Sequence, residues 1–209
     1  MTFKQAEDSL MLRVVHDAFR RDADHLTRVV ESQAVTDPQC RGSVLAGWDV
    51  FLRQLRSHHD GQDQNLWPAL RGYLVARPEE SDLIDAMESE HRRIAPLATA
   101  VNTALHNGDL DWLVEATAPF REELLGHLRH EESEAIPLLL SVFSQQDWRA
   151  FAAAQRKSTS SGDATEFLPY VLAEADAETV DLVMSRLSGS ARWAYKHRQQ
   201  PRFARVARW

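Results

Sequence analysis

Two segments of this 209-residue chain echo each other. His58-His59-Asp60-Gly61-Gln62-Asp63 runs on to Leu66-Trp67-Pro68, and His127-Leu128-Arg129-His130-Glu131-Glu132 runs on to Ile136-Pro137. In each, a His stands ten residues before a Pro, with an acid four or five residues after the His. Two further histidines, His16 and His91, lie 42 and 36 residues upstream of His58 and His127. Residues four apart on an α-helix share a face. His127 and Glu131 can therefore reach one point, and so can His58 with Gln62 or His59 with Asp63. Imidazole with carboxylate is a donor set for iron, manganese or zinc. Buried without a partner, such groups lose solvation at a cost of roughly several kcal/mol each, and a bound cation removes that cost. A lone His-x-x-x-Glu would say little, because surface helices use such pairs freely. Two in matching phase with a Pro, each downstream of another His, point to a metal site. His25, His106, His130 and His197 read as ordinary surface or core residues.

These side chains must be positioned by helices. Gly and Pro number only eight each, and the alternation of β-branched residues expected of strands is absent. A first helix is expected from about Asp8 to Gln33, with Leu10, Val14, Phe19 and Leu26 inward. A second runs from about Cys40 to Ala76, after the breaker Thr36-Asp37-Pro38. Arg77-Pro78 ends it, and Ser81 can cap a third that reaches about His106. Asn107-Gly108-Asp109 is a C-cap and turn. A fourth helix runs from about Asp109 to Val142, with Pro119 and Pro137 as candidate kinks. The expected fold is all-α: an up-down-up-down four-helix bundle over residues 8–142. A C-terminal helical extension follows over 143–209. Ser144 to Asp147 reads as a capping box opening its first helix, and Ser158 to Gly162 as a polar break.

Composition excludes several classes. The net charge is −7, but the stretch from Leu182 to Trp209 carries seven Lys and Arg and no acid. The rest holds 17 basic against 31 acidic residues, which argues against general nucleic-acid binding. The basic tail, with Trp193, Tyr195 and Trp209, reads as a contact for an acidic partner, a membrane surface or nucleic acid, or as a segment folded back on the acidic body. No stretch approaches the roughly 20 apolar residues of a membrane span. Cys40 is the only cysteine, and no apolar leader opens the chain; both predict a cytoplasmic protein. No nucleophile triad or Gly-rich phosphate loop stands out.

In order, the motifs are a His, His-His-x-x-x-Asp before Leu-Trp-Pro, Glu-His, then His-x-x-x-Glu-Glu before Ile-Pro-Leu. Over about Leu10 to Leu140 this resembles the hemerythrin-like (HHE cation-binding) family. The resemblance implies a four-helix bundle with a non-haem di-iron centre that binds or senses O2, NO or peroxide. It implies His16, His58, His91 and His127 with Glu131 as ligands, and carboxylates that bridge two irons. Two positions depart from the pattern. Gln62 stands where Glu is usual, and Met87 stands where a second His sometimes lies. Asp63 can compensate by pairing with His59, or through a π-bulge at Gly61 that swings it toward His58. Glu132 and His130 are candidates for roles around the ligands. Trp67 and Pro68 read as packing, or as a shield against water. Within the metal reading, zinc or manganese is the alternative to iron, as is a mononuclear site on the third and fourth helices. Peroxidase- or catalase-like turnover is an alternative activity. Outside it stands a structural or interaction protein with a degraded site.

Overall fold

The computed structural model describes residues 9–158 and 161–209, and among these every regular element is helical. The elements are α1 (Leu10–Ser32), a 3-10 turn (Ala34–Thr36), α2 (Pro38–Gly61), α3 (Trp67–Tyr73), α4 (Pro78–Asn107), α5 (Leu110–His130), α6 (Ile136–Val142), α7 (Gln145–Ser158), α8 (Ser161–Val171), α9 (Ala177–Arg186), α10 (Gly189–Ala194) and α11 (Gln200–Phe203). Three π-helical turns, Gln62–Leu66, Glu131–Ala135 and Tyr195–Gln199, join α2 to α3, α5 to α6 and α10 to α11. The four long helices lie where the periodicity places them. No helix among the described residues is long and apolar enough to cross a membrane.

The helix boundaries follow from capping. Asp37 accepts from the Gln39 amide at 2.9 Å, and Pro38 opens α2. Thr36-Asp37-Pro38 is thus a helix start as well as a breaker. Pro78, rather than Ser81, opens the next long helix, with Glu79 and Glu80 in its first turn. A proline loses nothing there, because the first amides of a helix have no internal partner. Gly108 adopts φ 69° to end α4, and Asp109 caps α5 through the Trp112 amide. The capping box forms: the Ser144 amide donates to Asp147 at 2.8 Å and the Asp147 amide to Ser144 Oγ at 3.3 Å. Part of the expected break, residues 159–160, lies outside the described residues.

The chain forms two compact units: Leu55–Ser158 in one, and Leu10–Gln54 with the C-terminal stretch ending at Trp209 in the other. In the first unit, α4 and α5 make the most extensive helix pair. Ile84, Met87, His91, Ile94, Ala98, Val101 and Leu105 form the buried stripe of α4, at alternating spacings of three and four. Leu113, Thr117, Phe120, Leu124 and His127 do the same on α5. At the α3 end, Leu66, Trp67, Leu70, Met87 and Leu139 close an apolar cluster. Trp67 is fully buried within it.

In the second unit, Phe19 of α1 meets Phe51 of α2 edge-on, with ring centroids 5.8 Å apart. The Arg21 guanidinium bonds the Tyr170 and Ala173 carbonyls at the end of α8, a favourable place for a cation. The tail folds back: the Trp209 amide donates to the Ser43 carbonyl at 3.0 Å, and its indole stacks on His25. The tail cations Arg192, Lys196, Arg198, Arg202 and Arg205 remain exposed.

Candidate metal centre

Four imidazoles gather in the first unit. His58 and His59 come from the last turn of α2, His91 from α4 and His127 from α5. The His59 ring stacks on His91, with centroids 4.0 Å apart and planes 13° from parallel. His127 stands edge-on to both, at 5.3 and 4.7 Å. Ring nitrogens of His59, His91 and His127 all lie within 4.8 Å of one another. Glu131, fully buried, brings Oε2 to 3.6 Å from His127 Nε2 and 3.8 Å from His58 Nε2. Gln62 Nε2 donates to the other oxygen of that carboxylate.

The outer nitrogens of two of these rings are held by carboxylates. His91 Nδ1 lies 2.7 Å from Asp63 Oδ1, and His127 Nδ1 lies 2.8 Å from Glu90 Oε2. The second oxygen of Glu90 takes His130 Nδ1 at 2.8 Å. An ionised carboxylate only accepts, so Nδ1 carries the proton in both rings, and in a neutral ring the lone pair is then on Nε2. Those two Nε2 atoms face each other at 3.2 Å. Two lone pairs at that distance repel, and only a proton or a metal ion between them removes the repulsion. With metal–nitrogen bonds of about 2.1 Å, two nitrogens of one coordination sphere stand about 3.0 to 3.4 Å apart.

His59 Nε2 is buried and has no hydrogen-bond partner. Burial, then the neighbouring His91, His127 and His58, push the His59 pKa well below the ordinary imidazole value of 6.5, against the pull of Glu131. Neutral imidazole is the form that ligates a metal. The donor set therefore fits a cation.

The π-helical turns set this register. Proline has no N–H, and its ring crowds the carbonyl four residues back. The carbonyls before Pro68, Pro137 and Pro201 at that spacing belong to Gln64, Ser133 and His197, all within the π turns. Pro96, Pro119 and Pro169 sit inside regular helices, so the wide turn is a local choice rather than a necessity of proline. Gly61 has an ordinary helical φ of −66°. Glycine serves there because a Cβ would stand 1.8 Å from the side-chain oxygen of Gln155. Gln155 itself donates to the Ser57 carbonyl at 2.8 Å.

The sequence-predicted residues are placed as follows. His58, His59, His91, His127 and Glu131 converge. The bulge anticipated at Gly61 forms over Gln62–Leu66, yet Asp63 turns to the outer nitrogen of His91, not to His58 or His59. Gln62 keeps the inward position, fully buried. His16 is fully buried on α1, in the second unit, on the stripe that includes Leu12 and Phe19. Met87 lies in the apolar cluster next to the imidazoles. Glu90 was missed as a partner of His127; its only signal is the adjacency Glu90-His91. His130 sits beside the ligands through Glu90.

The Hemerythrin HHE cation binding domain family model matches residues 9–139, and the chain belongs to that family. It is therefore an all-α, hemerythrin-like protein of a cation-binding family. No curated protein and no solved structure gives a match.

Proposed function

We propose that this chain is a non-haem di-iron protein that binds or senses O2, NO or peroxide. The observation that carries the reading is the approach of His91 Nε2 and His127 Nε2 to 3.2 Å, each ring having its outer nitrogen fixed by a carboxylate. His59 stacks on His91 and supplies the imidazole that Met87 cannot, giving a three-histidine set with His91 and His127. His58 and Glu131 are the donors nearest a second ion, and the family pattern adds His16. Gln62 holds one oxygen of Glu131, and the other faces the Nε2 atoms of His58 and His127. Iron, when bound, supplies a redox-active Lewis acid with room for a diatomic or a peroxide. The protein holds His59 neutral and fixes the outer nitrogens of His91 and His127, and the apolar cluster around Trp67 and Met87 keeps water from that end of the site.

The test is an anaerobic titration of the ferrous protein with O2, NO and hydrogen peroxide, followed optically. A saturable spectral change with at least one of them, lost in His127→Ala, supports the reading; no change with any of the three contradicts it. Catalytic loss of peroxide, also abolished in His127→Ala, would favour the peroxidase- or catalase-like alternative. Gln62 motivates the competing view of a degraded site in an interaction protein, which requires that chelators leave the melting temperature unchanged.

A further inference from the structure

In the second unit, α10, the π turn and α11 form one helical run over residues 189–203. Tyr195, Gln199 and Phe203 stand four apart along it and are partly buried, because the π turn and α11 pack against α8. A helix that buries one stripe turns its other positions outward. Those positions hold Arg192, Trp193, Lys196, His197, Arg198 and Arg202, and Arg205 and Val206 continue the exposed surface. Among the described residues, none of the five Lys and Arg on it is paired with an acid. Several acids of the unit are engaged elsewhere: Asp163 and Glu166 hold Arg53, Asp22 holds Arg21, and Asp176 caps α9. The unit carries 13 Lys and Arg against 12 Asp and Glu, although the whole chain stands at −7. The surface is therefore locally cationic. It is also held in place, since Arg208 Nη1 donates to the carbonyls of Phe203 and Val206, and the Trp209 amide to that of Ser43.

Trp193 is 51 % exposed in the middle of these cations, and Val206 is 49 % exposed beside Arg205. The Arg198 guanidinium lies 4.9 Å over the indole, and the His197 ring is 5.5 Å from it. A nucleic-acid base stacks on a free aromatic face, and a cation already covers this one. A specific protein interface has an apolar core depleted of charge, whereas here the cations run throughout and the exposed apolar side chains are few. Cations around an exposed Trp suit the headgroup level of a bilayer. We propose that this face docks the protein peripherally on an anionic phospholipid membrane. Arg192, Lys196, Arg202 and Arg205 meet the headgroup phosphates, while Trp193 and Val206 enter the interface. The apolar contact is small, so the attraction is mainly that of charge and falls as salt rises. The proposal stands apart from the metal centre.

Sedimentation of the full chain with lipid vesicles tests this. One set is phosphatidylcholine alone and the other contains about one-third phosphatidylserine, both in about 0.1 M salt. The expected result is saturable binding to the serine-containing vesicles, and binding at least about tenfold weaker to the neutral ones. Each cation near an anionic surface contributes about fivefold in affinity, so Arg192→Gln combined with Lys196→Gln should weaken binding about 25-fold, with an unchanged melting curve. Absence of binding to the serine-containing vesicles overturns the proposal. So does equal binding to neutral vesicles, or undiminished binding of the folded double variant. Displacement from the vesicles by polyglutamate or a single-stranded oligonucleotide, at an equal concentration of negative charge, would overturn it in favour of an acidic protein or a nucleic acid.

Discussion

Glu90 serves two imidazoles with one carboxylate, and so fixes which nitrogen of His127 faces the site. Partners of this kind typically change metal affinity 10- to 100-fold when removed. Glu90→Ala should therefore weaken metal binding by about that factor, read by competition with a chelator, while the helix content stays the same. Burial raises the Glu90 pKa, but hydrogen bonds from His127 and His130 outweigh this and hold it below 4.5. A depressed carboxylate stabilises the fold above its unfolded value, and that stability is lost as pH falls through the folded value. Acid unfolding of the metal-free protein should accordingly be shallower in Glu90→Ala below about pH 4.5. Gln62 is the second informative residue. Gln62→Glu replaces a donor to Glu131 with a like charge in a fully buried position. The metal-free variant should melt lower than the parent and the metal-loaded variant should bind more tightly, because a cation is then needed to separate two carboxylates. Equal melting temperatures of the two metal-free proteins would show that Gln62 does not set this balance.

The long helices and their inward faces were legible from spacing alone, because burial on a helix follows its 3.6-residue period. That period puts His91 in line with Ile84, Met87 and Ile94, and His127 in line with Phe120 and Leu124. The contacts Asp63–His91 and Glu90–His127 were not legible. They span 28 and 37 residues, and depend on the relative rotation and height of separate helices, to which the extra residue of each π turn contributes. The His-to-Pro echo was the trace of those turns, but nothing in the one-dimensional pattern said which way Asp63 would face. Gly61 was read as permission for a bulge; the bulge forms just after it, and the missing side chain also admits Gln155 of α7. Gly61→Ala should cost roughly 1–3 kcal/mol in denaturant unfolding, the usual range for overpacking. Adding Gln155→Ala should recover much of it in a double-mutant cycle. Additive losses would place the cost elsewhere.

For the molecule as a whole, the acidic body and basic tail were plain in composition, but the tail's place was not. Its end returns to α1 and α2 through Trp209, while its cations stay exposed. A ligand that binds only the folded chain stabilises it by mass action. Metal removal should therefore lower the melting temperature, and re-addition should restore it. The most direct test of the metal centre is the metal content per folded chain, after expression in iron-supplemented medium, for the parent and for His127→Ala. Two irons per parent chain, falling to one or fewer in the variant, is the predicted result. A well-folded helical parent that holds no metal beyond trace amounts would contradict the account.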